Sequence, residues 1–461
     1  MQEQNKKARE GFLASSQFTQ KEIIEMLIPL ILDQLFLYLI MLLTTSMISS
    51  SSEDSVTAIS LVQPMVMIHT SLVTAFGTGG SVLIAQYKGR GDRKRLHEAI
   101  GQTTHIVMLL GLILSALQFL CARPLVEWLF GSATMAVREK AITYLSWMGP
   151  INYLHCLRVA STAALRGVGE IKRNTVGTIV LNGSYFLFSI LFINLLHLDI
   201  QGTLLSYALA RVFGTGLSAY YHFFDKKTVV RIPLRLCLKP DWQYLKEIWK
   251  LGIPFSMEEV LINLGALVIS SYLVQLGTAS VAAHAIITSI FQAVAAPTVA
   301  VGMLTATVVG QSIGAGKNDL ARRYAKRLTI LGYGIVLISV LVILPLRNSI
   351  IGIYHPSPEA LAICSSVLLV CLGGLLLFFP VSQILPNAFR ASADARFTTA
   401  CSLAAIWIIR VGMGYVTAIV LKLGITGVWL MMAGEWAVRM ILFIVRYRGN
   451  RWLTKSENLL K

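Results

Sequence analysis

Long apolar runs recur along the whole chain, and short polar stretches that carry most of the charge separate them. Each run has at least the roughly 20 residues that a helix needs to cross the hydrocarbon core of a bilayer. A transmembrane β-barrel would instead show alternating segments of about ten residues. The runs predict twelve spanning helices, at residues 23–48, 56–86, 97–121, 141–165, 174–197, 200–222, 247–276, 280–311, 324–346, 358–388, 397–421 and 424–447.

Composition supports this prediction. Only 14% of the 461 residues are charged, while 55% are hydrophobic. Soluble domains carry roughly 25% charged residues, so this chain lacks the polar groups to cover a water-exposed surface of its size. The polar residues 1–22 come before the first span, and we expect no cleavable signal peptide ahead of it. The predicted fold class is therefore all-α and membrane-integral.

The net charge of +17 is distributed unevenly. Of the 40 lysine and arginine residues, five lie in odd-numbered loops: Arg123, Arg138, Lys140, Arg347 and Lys422. Four more lie inside spans or at their ends: Arg158, Arg211, Arg410 and Arg439. The rest gather in the N-terminus, the even-numbered loops and the C-terminus, which places both termini in the cytoplasm by the positive-inside rule. No nucleic-acid partner is expected, because the basic residues form a membrane-facing rim.

The two halves of the chain repeat each other. Three pairs of segments match at a nearly constant offset of 225 residues: AQYKGRG (85–91) with GQSIGAG (310–316), IPLILDQ (28–34) with IPFSMEE (253–259), and ALRGVGE (164–170) with AFRASAD (388–394). Because six spans are an even number, both halves have the same orientation, as in parallel transporter repeats. The predicted domains are a cytoplasmic N-terminal segment at 1–22, an N-lobe at 23–222, a cytoplasmic inter-lobe loop at 223–246, a C-lobe at 247–447 and a cytoplasmic tail at 448–461.

The glycines of the first segment pair have two interpretations. A Gly-x-Gly motif can bind phosphate, but no strand precedes either copy. We therefore expect Gly91 and Gly316 to end a helix in a tight turn at the cytoplasmic face.

Acidic residues inside spans are candidates for binding a coupling ion, because an ionised side chain at the bilayer centre costs about 2.5–3.5 kcal/mol on insertion scales. The candidates are Asp33, Glu258, Glu259 and Glu435. Asp33 and Glu258 are counterparts in the repeat, and each follows a proline by four residues. Proline frees nearby carbonyls that could help a carboxylate hold a small cation, although hydration or pairing near the cytoplasmic surface is an equal alternative. Glu259 must point about 100° away from Glu258.

Glu435 has a basic neighbour on the same helix. Arg439 lies four residues later, so a helical ion pair that only clamps the structure is the simpler interpretation. Arg410 could reach Glu435 from the preceding span and complete a charge network. Glu170 and Asp394 lie at the ends of spans, where solvation is the expected explanation.

No catalytic motif accompanies these charges. The sequence contains no His-Glu-x-x-His and no Gly-x-Ser-x-Gly, so an enzyme is not expected. The six cysteines form no Cys-x-x-Cys pair, and they are interpreted as small buried residues rather than metal ligands. A receptor or scaffold would have no evident use for a twofold repeat with buried acids.

Six segments together resemble the multidrug and toxic compound extrusion (MATE) exporters, over about residues 23–452. They are FGTGGSVLIAQYKGRGD (76–92), ALRGVGEIKRNT (164–175), KLGIPFSMEE (250–259), TATVVGQSIGAGKNDLAR (305–322), AFRASADARFTTACSLAAIWIIR (388–410) and GITGVWLMM (424–432). The resemblance implies two six-helix bundles that open alternately, with Na⁺ or H⁺ moving inward while an amphipathic, typically cationic, compound leaves the cell. It implies a monomer in the plasma membrane with no cofactor beyond the coupling ion. A lipid-linked precursor or polysaccharide flippase of the same superfamily is the alternative.

The resemblance also marks departures from the family. Many members carry an aspartate in the first span where this chain has Thr44, and some use an acid in the tenth span where it has Phe379. Asn182 and Tyr185 match a region in which members place polar cavity residues, and interhelical hydrogen bonding is their alternative role. Methionine and aromatic side chains suit an adaptable cavity, which adds Tyr38, Met41 and Phe291 to the candidates for substrate contact, with Thr44 and Arg410. For Tyr38, Met41 and Phe291, an ordinary lipid-facing or packing role is the simpler alternative.

Overall fold

The computed structural model describes residues 12–48, 52–131, 133–354 and 356–454, without the side chains of 38–48, 53 and 454. Twelve long helices follow one another in this part of the chain. They are α1 (Gln20–Ile48), α2 (Glu53–Arg90), α3 (Arg93–Phe130), α4 (Met135–Val168), α5 (Ile171–Ser189), α6 (Asp199–Ala219), α7 (Trp242–Gln275), α8 (Thr278–Gly314), α9 (Asn318–Gly352), α10 (Pro358–Leu377 and Phe379–Ala391), α11 (Ala395–Ala404) and α12 (Gly424–Arg448). The predicted all-α fold class and the order of the spans are confirmed.

Three helices continue in wider turns. α5 continues as a π-helix over Ile190–Leu195, α6 over Tyr220–Phe224, and α11 over Ala405–Met413 and Val416–Val420. With these extensions, nine of the helices in the described ranges are individually long and apolar enough to cross a membrane.

Capping residues mark the ends of several helices. At the start of α1, the Thr19 backbone N–H donates to Oε2 of Glu22 at 2.7 Å, and Oγ1 of Thr19 accepts from the Glu22 N–H at 3.2 Å, which is a capping box. Gly91 after α2 has a φ of 77° and Gly316 after α8 a φ of 71°. Both glycines therefore end helices in the left-handed conformation, as predicted from the repeat.

α10 is interrupted inside the hydrophobic core. The helix stops at Leu377 and restarts at Phe379, with Pro380 in the first turn of the second segment. Proline has no backbone N–H, so it fits the first turn of a helix without loss of a hydrogen bond, whereas in a helix interior it removes one. The break lets Phe379 pack edge-on against Trp436 of α12, with ring centroids 5.3 Å apart.

Two compact units make up the described chain. Phe36–Ser256 form the N-unit, and the described residues up to Leu35 and from Met257 form the C-unit. The boundaries fall inside α1 and α7 rather than at the predicted lobe limits, so the lobes at 23–222 and 247–447 stay a prediction. Segment 225–241 packs within the N-unit, where Nε2 of Gln102 donates to the Lys239 carbonyl at 2.7 Å.

Each unit has its own apolar core, and each also presents apolar side chains outward. Trp429 and Trp436 are almost completely buried in the C-unit core, and Tyr144 and Leu145 in that of the N-unit. On α9, Ile338 is 65% exposed, as are many other large apolar side chains of the long helices. Such an outer surface suits contact with lipid rather than water.

Candidate functional site

A deeply buried charge cluster of the C-unit centres on Glu435 of α12, whose side chain has no exposed surface. Nη1 of Arg439, one helical turn later, donates to Oε1 of Glu435 at 2.9 Å. Nη2 of Arg410 on α11 donates to Oε2 of the same carboxylate. Both predicted contacts of Glu435 are therefore present, and one buried carboxylate holds two guanidinium groups.

Neighbouring elements position these two arginines. Arg410 lies in the π-helical part of α11, and such wide turns are frequent at functional sites. Nη2 of Arg439 also donates to the Ser382 carbonyl at 3.2 Å, on the second segment of α10. The carboxylate thus ties α10, α11 and α12 together. With three formal charges, this cluster carries a net charge of +1.

Glu258 on α7 forms a second buried site in the same unit. Nη2 of Arg390 donates to Oε1 of Glu258 at 2.7 Å, and Oγ1 of Thr399 donates to Oε2 at 3.2 Å. Arg439 lies within electrostatic reach of Glu258 and so links this site to Glu435. Glu259, the adjacent residue, is exposed, in keeping with the predicted divergence of the two side chains.

Asp33 is also buried, with 1% of its surface accessible. It lies on α1 four residues after Pro29, and it belongs to the C-unit. The repeat suggested one candidate acid for each half of the chain. The structure instead places Asp33, Glu258 and Glu435 in one unit.

Aromatic side chains of α8, α10 and α12 pack against one another in the same unit. The rings of Phe291 on α8 and Trp436 on α12 stack with centroids 5.3 Å apart and an interplanar angle of 13°. Phe379 meets both rings edge-on, at 5.6 Å from Phe291. This aromatic group belongs to the C-unit core, in which Trp436 is almost completely buried.

The prediction that Asp394 is solvated is wrong. Its side chain is completely buried, and Oδ2 accepts from Nη2 of Arg446 at 2.6 Å and from Nε at 2.8 Å. Arg446 is near the end of α12, where the helix returns to the turn between α10 and α11. Its repeat counterpart Glu170 keeps 23% of its side chain exposed and bonds Arg173 and Thr228, the latter at 2.7 Å.

The N-unit holds a different polar cluster, formed on α4, α5 and α6. Tyr185 stacks on Tyr207, with ring centroids 4.3 Å apart. The guanidinium of Arg211 lies over the Tyr207 ring, 5.5 Å from its centroid. Nη1 of Arg211 donates to Oδ1 of Asn152 on α4. Asn182, also on α5, is buried with its side-chain nitrogen lacking a hydrogen-bond partner in the described structure.

Three of the predicted substrate-contact side chains, those of Tyr38, Met41 and Thr44, lie outside the described residues. Their roles stay predictions. Arg211 lies inside a predicted span but was not among the predicted site residues, since the ion-binding candidates were all acidic. The signal was available, since an arginine inside a span is as unusual as a glutamate.

The chain is similar in sequence to known transporter proteins. The sequence pattern of the MatE family matches the chain twice, over residues 29–192 and 254–416, and the two matches begin at the offset of the internal repeat. The probable multidrug resistance protein YoeA of Bacillus subtilis is 26% identical over 406 residues, which cover 86% of each chain.

Solved structures share the fold. A structure described as the outward-facing conformation of a multidrug resistance MATE family transporter of the MOP superfamily matches with a TM-score of 0.86 at 21% identity, over 95% of this chain and 96% of that one. A MOP superfamily transporter from Pyrococcus furiosus, for which reverse polarity of the binding pocket is reported to suggest a different function, matches with a TM-score of 0.84 at 21% identity, over 96% of each chain. The twofold family match over most of the chain shows that this protein belongs to the MatE family and is a multidrug and toxic compound extrusion (MATE) transporter.

Proposed function

We propose that the protein is an antiporter of the plasma membrane that exports amphipathic small molecules while Na⁺ or H⁺ moves inward. Membership of the MatE family and the multidrug resistance name of its Bacillus relative support export of drugs or toxic compounds rather than flipping of lipid-linked precursors. In this proposal the transporter is a monomer, both termini are cytoplasmic, and two lobes open alternately to either side of the membrane.

The observation that carries the coupling proposal is the pairing of Glu258 with Arg390. A carboxylate that is 4% exposed inside a membrane helix is stable as an anion only while a cation compensates it. The guanidinium of Arg390, 2.7 Å away, supplies that compensation here. An entering Na⁺ or H⁺ would replace it and release Arg390.

Release of Arg390 gives two distinct states. With the pair formed, α7 is tied to the end of α10; with a cation on Glu258, that tie is lost. A switch between two discrete arrangements is what alternating access needs, because an ion can shift the equilibrium only through different affinities for the two states. Asp33 is the second candidate acid, since it is buried at the position of α1 that corresponds to Glu258.

The substrate is expected to be an amphiphile. The aromatic group around Phe291 and Trp436 offers apolar contact, which suits a cationic drug with an apolar body. Pocket polarity varies within this fold, since reverse polarity of the binding pocket is reported for the transporter from Pyrococcus furiosus.

The test is transport by purified protein in liposomes. Export of a fluorescent amphiphile should accelerate when an inward Na⁺ or H⁺ gradient is imposed, and Glu258→Gln and Asp33→Asn should each remove most of that acceleration. Glu259→Gln is the matched control, because it removes a neighbouring but exposed carboxylate, and it should leave coupling intact. Unchanged coupling in both the Glu258 and Asp33 variants would refute the assignment of these acids.

A further inference from the structure

Arg211 is a buried guanidinium in the N-unit that has no carboxylate within ion-pair distance among the described residues. Only 8% of its surface is accessible, and among the described residues it donates to Asn152 and lies over the face of the Tyr207 ring. An arginine has five N–H donors, so the described protein groups accept from a minority of them. Arg410 and Arg439 in the C-unit instead both form ion pairs with Glu435.

The sequence explains why no acid neutralises Arg211 from the spans around it. The sequence of the N-unit contains neither aspartate nor glutamate over residues 36–52, 55–91, 99–126, 140–169, 171–198 and 200–224. The acidic residues of this unit all lie at helix ends or in connecting segments. A buried charge without a counter-ion is destabilising, and proteins retain such a group mainly where something else supplies the opposite charge.

The surroundings of Arg211 add polar side chains and, among the described residues, no carboxylate. His155, three residues after Asn152 on α4, lies within electrostatic reach of Arg211, Arg158 and His69. Nδ1 of His155 and Nε2 of His69 are buried without a hydrogen-bond partner in the described structure. The cluster is therefore electropositive and holds polar atoms that are not yet used.

We propose that the Arg211 cluster binds the oxyanion of an amphipathic ligand, a carboxylate or a phosphate. The guanidinium would provide paired N–H donors to two oxygens, which is the recognition geometry that arginine favours for both groups. The guanidinium lies over Tyr207, whose ring stacks on Tyr185, so an aromatic pair supports the proposed site. Only the role of this ligand as a transported substrate rests on the proposed export function; binding itself does not.

Two dyes of one scaffold test this proposal in detergent-purified protein. Fluorescein carries a carboxylate, whereas tetramethylrhodamine methyl ester has a related ring system, an esterified carboxyl and a positive charge. Fluorescence anisotropy should show that the wild-type protein binds fluorescein, and that phosphatidylglycerol or benzoate competes with it. Competition by the lipid alone would identify a headgroup phosphate as the source of the oxyanion, and competition by benzoate alone a free organic anion.

Substitutions then locate the site. Arg211→Gln should weaken fluorescein binding by about 10- to 100-fold, the usual effect of losing a charge-assisted hydrogen bond, and should leave binding of the cationic dye unchanged. Arg211→Lys should retain part of the affinity. Arg231→Gln is the matched control, because it removes an exposed arginine from the same unit.

Each outcome is decisive for the oxyanion site. If wild-type protein binds only the cationic dye, or if Arg211→Gln and Arg231→Gln weaken fluorescein binding equally, the proposal is overturned. The wild-type comparison holds even where Arg211→Gln does not fold. Because these are binding measurements, a failure of gradient-driven transport would count against the antiport function and not against the oxyanion site.

Discussion

Replacing Glu435 by glutamine would measure how much the Glu435 cluster contributes to the stability of the protein. The substitution preserves size but removes the charge that compensates Arg410 and Arg439. Glu435 has no exposed side-chain surface, while the side chains of Arg410 and Arg439 are 19% and 12% exposed. Two guanidinium groups would then share a nearly dry environment with no carboxylate between them.

Breaking a buried ion pair by removing one partner costs about 3–5 kcal/mol, because the remaining charge stays buried without compensation. We expect Glu435→Gln to lower the free energy of unfolding by that amount. Adding Arg439→Met should restore part of the loss, so the double variant should be less destabilised than the sum of the single ones by about 0.5–3 kcal/mol.

Reversible unfolding in mixed micelles of sodium dodecyl sulfate and dodecylmaltoside measures these differences. Glu127→Gln is the control, because Glu127 pairs with Arg123 at 3.3 Å with both side chains at least half exposed, and its loss should change stability by less than about 1 kcal/mol. An effect of Glu435→Gln as small as that of Glu127→Gln would refute the view that burial makes this network costly to break.

Two further pairs of variants use the internal repeat as their own control. Ala393 has a φ of 66° where its counterpart Gly169 has 86°, so both residues adopt the left-handed conformation, which favours glycine. Ala393→Gly should therefore stabilise the protein by about 0.5–1 kcal/mol, and Gly169→Ala should destabilise it by about 1 kcal/mol. Thermal unfolding checks both. Asp394→Asn should lower the unfolding free energy by about 1.5–3 kcal/mol because it weakens two buried charge-assisted hydrogen bonds. Glu170→Gln should cost less than about 1 kcal/mol, since Glu170 and its partner are about a quarter exposed.

Two results would contradict these predictions. A destabilising Ala393→Gly would mean that the left-handed turn is not strained by the alanine side chain. Equal effects of Asp394→Asn and Glu170→Gln would show that burial does not distinguish the two ends of the repeat.

The apolar pattern predicted the fold well because spanning helices must satisfy all their backbone hydrogen bonds internally and therefore need long uninterrupted apolar runs. The glycine turns at Gly91 and Gly316 were predictable for a similar reason, since few residues other than glycine adopt a left-handed φ. Even the contact between Arg410 and Glu435 followed from the scarcity of charges within spans.

Burial at helix ends was harder to predict. Asp394 lies in a polar turn of the sequence. Its burial becomes evident only from the structure, in which Arg446 near the end of α12 pairs with it. The interruption of α10 and the π-helical turns of α11 depend on side-chain packing, which leaves no periodic trace in the sequence. The Arg211 cluster contains residues from three helices that are distant in sequence. Its positive charge results from the absence of nearby acids as much as from the arginine.

Coupling to an ion gradient is the central claim, and wild-type protein in liposomes tests it most directly. Tetramethylrhodamine methyl ester and fluorescein would each be followed while an inward Na⁺ gradient or an inward H⁺ gradient is imposed alone. The account predicts that one of the two gradients drives at least one dye against its concentration gradient, with cation uptake in exchange. Dye movement that both gradients leave unchanged would contradict it.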